Sequence, residues 1–281
     1  MEMLLDVIVD TLLDALKLLP FLFVAFIIIE FVEHKMNNKG KNILVKSNKG
    51  GPIIGGILGA IPQCGFSALA TNLYVTRIIS LGTLISVYLS TSDEMIIVML
   101  GENVPITELL KIVGIKVLIG IIFGYLIDLF LRKKEEKNKD YHVCDDDHCD
   151  CKHSIIKSSI IHTLKTIIYI IITTFIINIL FELVGEDKLS ELFLNKTKFA
   201  PFIAALIGLI PNCGASIALT EFYLNGIISL GTAIGGLCTG AGIGLIILFK
   251  QNKNIKENFM ILCILYLIGS IMGILLNLIG V

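Results

Sequence analysis

Charge is scarce in this chain: Asp, Glu, Lys and Arg make up 17% of its 281 residues. Hydrophobic residues make up 55%, and the mean hydropathy is +0.85. A soluble fold of this size has no use for so much apolar surface. Several runs approach or exceed the roughly 20 residues that span a bilayer. The net charge is −1, so no basic excess points to nucleic acid or anionic lipid. The amino-terminal segment lacks the basic start of a signal peptide and carries Glu2, Asp6, Asp10 and Asp14 instead. No G-x-x-x-x-G-K-[ST] motif is present for ATP hydrolysis, and no H-E-x-x-H. The five histidines supply no nucleophile–base set, which argues against an enzyme. The seven cysteines do not form a disulfide framework. Cys64, Cys213, Cys238 and Cys263 lie in hydrophobic segments, while Cys144, Cys149 and Cys151 crowd one loop.

What the chain does have is a duplication. Residues 52–85 and 201–234 align without a gap at an offset of 149, with 17 identities in 34 positions. The first copy carries Pro62-Gln63-Cys64-Gly65-Phe66-Ser67, and the second carries Pro211-Asn212-Cys213-Gly214-Ala215-Ser216. Each half has the same order of elements: a long apolar one (3–34 and 155–184), one broken at Pro-x-Cys-Gly (52–76 and 201–225), one interrupted by small and polar residues (78–100 and 227–249), and a plain span (107–131 and 257–280). Pro removes a helical N–H, and Gly adopts turns cheaply. Backbone groups freed in this way are tolerated at membrane depth only in protein or along a cavity.

Each arm of the broken element reaches about 15 Å, half of a ~30 Å hydrocarbon core. Length alone allows a single broken span or a hairpin that enters and returns. Loop charge separates the two. Lys35, Lys39, Lys41, Lys46 and Lys49, then Arg132, Lys133, Lys134, Lys137 and Lys139, then Lys250, Lys253 and Lys256, fall on one side only if the broken elements return. The positive-inside rule makes that side cytoplasmic. Each half then crosses three times, so the second is inverted relative to the first. The expected fold is an all-α polytopic membrane protein, an inverted-topology repeat with two re-entrant broken-helix hairpins. The first repeat covers 1–131, a cytoplasmic linker 132–153, and the second repeat 154–281. Both termini are expected outside the cytoplasm.

Three sets of residues carry the candidate chemistry. At the hairpin tips, freed carbonyls suit a cation and freed N–H groups suit an anion. Gln63, Cys64 and Ser67 add polar or thiol atoms there, matched by Asn212, Cys213 and Ser216. The structural alternative is a Pro-Gly turn with Cys and Ser as small packing residues. The second set is Thr91, Asp93 and Glu94, in Ser90-Thr91-Ser92-Asp93-Glu94. Two adjacent acids inside an apolar segment are expensive and default to function, unless they sit at a wet helix end. The second copy has Thr239-Gly240-Ala241-Gly242 in their place, so the acids are unmatched. Glu221, opposite Asn72 in the repeat, is either a third pathway carboxylate or a residue at the outer interface. The third set is His142, Cys144, His148, Cys149, Cys151 and His153 in the linker. Thiolates with imidazoles suit Zn(II), Cd(II), Cu(I) or trivalent arsenic, in a flexible chelating tract. Its structural alternative is a solvated polar linker. Lys17, Lys116 and Lys165 snorkel or face a cavity and carry no assigned role.

The chain resembles the putative ten-transmembrane heavy-metal exporter family, whose members are called arsenic efflux proteins or putative manganese transporters. The resemblance rests on Ile61-Pro62-Gln63-Cys64-Gly65-Phe66-Ser67, Leu89-Ser90-Thr91-Ser92-Asp93-Glu94, Ile210-Pro211-Asn212-Cys213-Gly214 and Thr239-Gly240-Ala241-Gly242. The His/Cys/acid-rich loop 141–153 adds to it. The resemblance implies the bacterial plasma membrane and efflux of a toxic metal or metalloid. Ten segments result if each hairpin counts as two.

Three functions fit these residues. The first is a secondary exporter of a metal or metalloid ion, coupled to proton or sodium flux through Asp93 or Glu94. The others are an oxyanion carrier that uses the hairpin N–H groups, and a membrane metal sensor that signals through 141–153. The expected partners are the lipid bilayer, the ion and its counter-ion, with no nucleic acid and no permanently bound cofactor; a homo-oligomer is compatible. A tag on either terminus should be open to protease in intact cells, and membrane protection of an amino-terminal tag would overturn this topology.

Overall fold

The computed structural model describes residues 50–61, 65–135, 155–184 and 199–280, with Leu16, Leu19, Pro20, Phe23, Val24, Phe26 and Ile27 from the first element. Among the described residues there is no strand. The helices are α1 (Gly51–Gly59), α2 (Gly65–Val75), α3 (Leu81–Ser90), α4 (Asp93–Gly101), α5 (Ile106–Glu135), α6 (Ile155–Val184), α7 (Ala200–Gly208), α8 (Cys213–Leu224), α9 (Leu230–Thr239), α10 (Ile243–Gln251) and α11 (Ile255–Ile279). The breaks expected from the sequence fall between α1 and α2, α3 and α4, α7 and α8, and α9 and α10. α5 runs beyond residue 131 to Glu135.

Local sequence sets these boundaries. Pro52 and Pro201 stand in the first turns of α1 and α7, where the missing N–H is no loss. Ser80 and Ser229 cap α3 and α9, accepting from the N–H of Thr83 and Thr232 at 3.2 and 3.3 Å. Among the described residues, four stretches are long and apolar enough to cross a membrane: Leu81–Gly101, Ile106–Phe130, Leu230–Gln251 and Ile255–Ile279. Their outer faces leave Leu118, Ile122, Leu129, Phe130, Leu267, Leu275 and Leu278 exposed. An apolar surface of that extent suits lipid. The chain is an integral membrane protein.

The contacts fix the helix directions. Ser80 Oγ and Gly82 N–H, where α3 starts, donate to the Asp128 carboxylate near the end of α5 at 2.7 and 2.9 Å. Pro52, where α1 starts, lies against Gly124 at the same level, and Gly55 and Gly59 then meet Thr83 and Ser90 in turn. So α1 and α3 run the same way, with α5 antiparallel to both. The second half repeats the arrangement. Ser229 Oγ bonds Asn277 at 2.6 Å, Pro201 lies against Gly273, and Gly208 meets Thr239.

The halves exchange partners. α2 packs on α10, and α8 packs on α4. Tyr74, near the end of α2, donates its hydroxyl to Glu257 at the start of α11. Tyr223, near the end of α8, donates to Glu108 at the start of α5. At the offset of 149, Tyr74 corresponds to Tyr223 and Glu108 to Glu257. Tyr74 lies just before Ser80, hence at the end of the bundle where α5 finishes, whereas Glu108 lies where α5 begins. The equivalent helices α5 and α11 therefore run in opposite directions.

Small residues let these helices approach. A Cβ at Gly82 would sit 2.1 Å from the Gly124 carbonyl oxygen, and one at Gly208 would sit 2.0 Å from that of Gly236. Gly101 and Gly114 have nothing within 4 Å of such an atom. Gly82→Ala and Gly208→Ala should each lower the melting temperature in detergent by several degrees, whereas Gly114→Ala should leave it unchanged or slightly raised. Equal melting temperatures would contradict this packing.

Candidate functional site

Three chain breaks converge on one cavity of about 30 Å³. They are Thr91–Ser92, Gly240–Gly242 and Ile210–Asn212, joined by Ser216 of α8 and Lys116 of α5. Met95, Leu219, Leu237 and Ile243 supply the apolar wall. The space is enough for one or two waters, since a single water needs roughly 10–15 Å³. Thr91 and Ser92 lie about midway along Leu81–Gly101, so the cavity sits near mid-height of the spans.

Each break is built differently. In the first, Ser90, Thr91 and Ser92 turn their hydroxyls on local carbonyls: Ser86 at 2.8 Å, Val87 at 2.8 Å and Ser90 at 3.0 Å. Such back-bonding offers the chain an alternative to continuing the helix. The Thr91 carbonyl accepts from the Lys116 ammonium. Lys116 is 0% exposed, and it belongs to a different helix. In the second break Gly242 takes φ 52°, ψ −139°, a conformation that a side chain strongly disfavours. Its counterpart in the first half is Asp93, which opens α4 as an ordinary helical residue. The Thr239 hydroxyl lies 2.8 and 2.7 Å from the carbonyls of Ala205 and Gly236, which pins α9 to α7. In the third break Asn212 is extended, and its Oδ1 accepts from Gly214 N–H at 2.8 Å to cap α8.

The electrostatics combine both signs. α4, α8 and α10 begin at the cavity and direct partial positive charge to it, while α3 and α9 end there with carbonyls. Lys116 adds a full positive charge.

Of the residues expected from the sequence, Thr91, Asn212 and Ser216 line this cavity. Asp93 and Glu94 follow Ser92 directly, and Cys213 follows Asn212; their backbones open α4 and α8, and their side chains lie outside the described set. Ser67 is buried on α2, where its carbonyl accepts from the Thr71 hydroxyl at 2.7 Å; Glu221 is half-buried on α8. Neither is among the residues that line the cavity. Gln63, Cys64 and the linker ligands His142, Cys144, His148, Cys149, Cys151 and His153 lie outside the described residues. Among the described residues, no three His, Cys, Asp or Glu side chains come together as a metal site. Lys116, which the sequence left without a role between snorkelling and facing a cavity, faces the cavity. Its signal was a lysine well inside a span, with Leu265 at the equivalent position of the second half.

The family described as "Putative, 10TM heavy-metal exporter" matches residues 3–186 and again 168–281. The chain belongs to that family. The first match runs on through the linker and α6, and the second begins within α6. No curated protein and no solved structure matches the chain.

The Asn212 cap can be tested directly. Asn212→Ala should lower stability by about 1 kcal/mol, and Asn212→Asp should retain most of it. Chemical denaturation in detergent measures both; an alanine variant as stable as the wild type would deny the cap any role.

Proposed function

We propose that the protein is a secondary transporter that exports a metal or metalloid ion through the cavity between its broken helices. The observation that carries this reading is the meeting of the breaks at Thr91–Ser92, Gly240–Gly242 and Ile210–Asn212 near mid-height. Transporters with discontinuous helices bind cargo and coupling ions at such ends.

The helix directions support the hairpin and the inversion. α1 and α3 share a direction, so the chain between them must return, as α2 does in a re-entrant hairpin. α5 and α11 oppose one another, as inverted repeats require. On this reading the end that holds Arg77, the start of α1, the finish of α5 and the start of α11 is cytoplasmic, because the basic segments gather there. Both termini lie on the far side. The linker captures cytoplasmic ions through His142, Cys144, His148, Cys149, Cys151 and His153. Cargo then passes to Cys64, Cys213, Asp93 and Glu94, with Asp93 or Glu94 exchanging a counter-ion. Alternating access parts the Tyr74–Glu257 tie at one face and the Tyr223–Glu108 tie at the other.

A second reading takes a small oxyanion as cargo. It draws on Lys116 and on the three helix amino termini around the cavity, which together favour negative charge. Competition separates the two, because excess divalent cation should block the first cargo and leave the second untouched.

The test is flux into proteoliposomes of Mn(II), Zn(II), Cd(II) and arsenite, with and without a pH gradient. At least one should be carried, and Asp93→Asn should reduce its flux tenfold or more. Absence of flux for all four would sink the proposal, and full activity in Asp93→Asn would remove that carboxylate from the mechanism.

A further inference from the structure

Lys116 stands where a broken membrane helix would otherwise need an ion. The α3–α4 break frees the carbonyl of Thr91 at the carboxyl end of α3, where the helix dipole is negative. Freed carbonyls at such breaks are the usual ligands of sodium in transporters with discontinuous helices. Here the Lys116 ammonium donates to that carbonyl from α5, with the whole side chain buried. An ammonium and a sodium ion carry the same charge and compete for the same oxygen.

We infer that Lys116 is the resident cation of the α3–α4 break, a tethered substitute for sodium, so the transport proposed above needs no sodium and is driven by protons. The inference rests on that reading for its purpose, but the occupancy of the break can be tested without any cargo.

The surroundings fit a fixed positive charge. Thr91 and Ser92 present hydroxyls and carbonyls from the break itself. Asn212 and Ser216 face the same cavity from the α7–α8 break and α8, and neither titrates. Cys238, fully buried on α9, is the thiol within reach of the Lys116 charge. Asp93 and Glu94, the ionisable residues nearest in sequence to Thr91, open α4 immediately after the break. α1 and α7 bring no ionisable residue among those described. The second half reinforces the argument. Leu265 replaces the lysine there, and the equivalent break is built from Gly240-Ala241-Gly242 with no acid. Base and acids are thus confined to the same half, as expected if they work as one charged unit.

The experiment compares the detergent-purified full chain in sodium chloride and in choline chloride at equal ionic strength. The wild type should melt at the same temperature in both salts. Lys116→Ala, which removes the ammonium and leaves room beside the carbonyl, should gain a sodium-dependent rise of a few degrees that saturates with sodium. Lys116→Arg should behave as the wild type. Sodium-dependent stabilisation of the wild type, or an alanine variant indifferent to sodium, would overturn the inference. If Lys116→Ala fails to fold, the wild-type comparison still decides whether the break takes sodium. Flux supplies the second arm: for any ion carried, a pH gradient should drive wild-type transport and a sodium gradient should not. Sodium-driven flux overturns the inference, whereas absence of flux for every ion defeats only the transport reading and leaves the melting comparison intact.

Discussion

A helix can be broken inside a bilayer only if the backbone groups it frees find partners. In hydrocarbon each orphaned carbonyl or N–H is worth several kcal/mol, so an unsupported break would close or unfold. Much of this architecture answers that constraint. The hydroxyls of Ser90, Thr91, Ser92 and Thr239 hold carbonyls around the breaks. Asn212 holds an N–H at the start of α8. Lys116 holds the carbonyl of Thr91. The glycines that bring α1, α3 and α5 into contact, and α7, α9 and α11 likewise, place these donors within reach. Close packing and polar satisfaction thus depend on each other.

The repeat explains why the partners come in pairs and where the pairing fails. Ser80 with Asp128 and Ser229 with Asn277 are the same clasp, with a carboxylate in one half and an amide in the other. Tyr74 with Glu257 and Tyr223 with Glu108 are the same tie, each reaching across to the other half. Scaffold positions keep their hydrogen-bond pairing through the duplication. Around the cavity they do not: Lys116 is matched by Leu265, and Asp93, which follows the break, by Gly242.

The sequence made the scaffold legible because duplication and hydropathy are local properties. The paired Pro-x-Cys-Gly located two breaks, and Ser90-Thr91-Ser92 with Gly240-Ala241-Gly242 located the other two. Loop charge argued for one of the two possible paths of the broken elements. The cavity was only partly legible. Thr91, Asn212 and Ser216 announce themselves as polar residues at breaks. The pairing of Lys116 with Thr91 does not, because the two lie 25 positions apart and no periodicity connects them. The reciprocal ties were hidden for the same reason: Tyr74 and Glu257 are 183 positions apart. Each looks like an ordinary interfacial residue until the fold brings the halves together.

The two ties also differ, and the difference is physical. Arg77 and Gly226 occupy equivalent left-handed turns, at φ 59° and 71°. Glycine adopts that conformation freely, whereas for an arginine it costs roughly 1–2 kcal/mol. The arginine turn places its guanidinium on Glu257 through two bonds of 2.8 and 3.0 Å, and over the Tyr74 ring at 5.0 Å. Glu257 therefore takes three side-chain donors from the α2 end, while Glu108 takes one from the α8 end. The strained turn is retained where it tightens a tie and relaxed to glycine where no guanidinium is present. Among the described residues, the tie at the Arg77 end holds a bidentate ion pair as well as a tyrosine hydrogen bond, and the tie at the opposite end holds the tyrosine bond. A scaffold that is two-fold in its helices thus differs between its two ends at this residue.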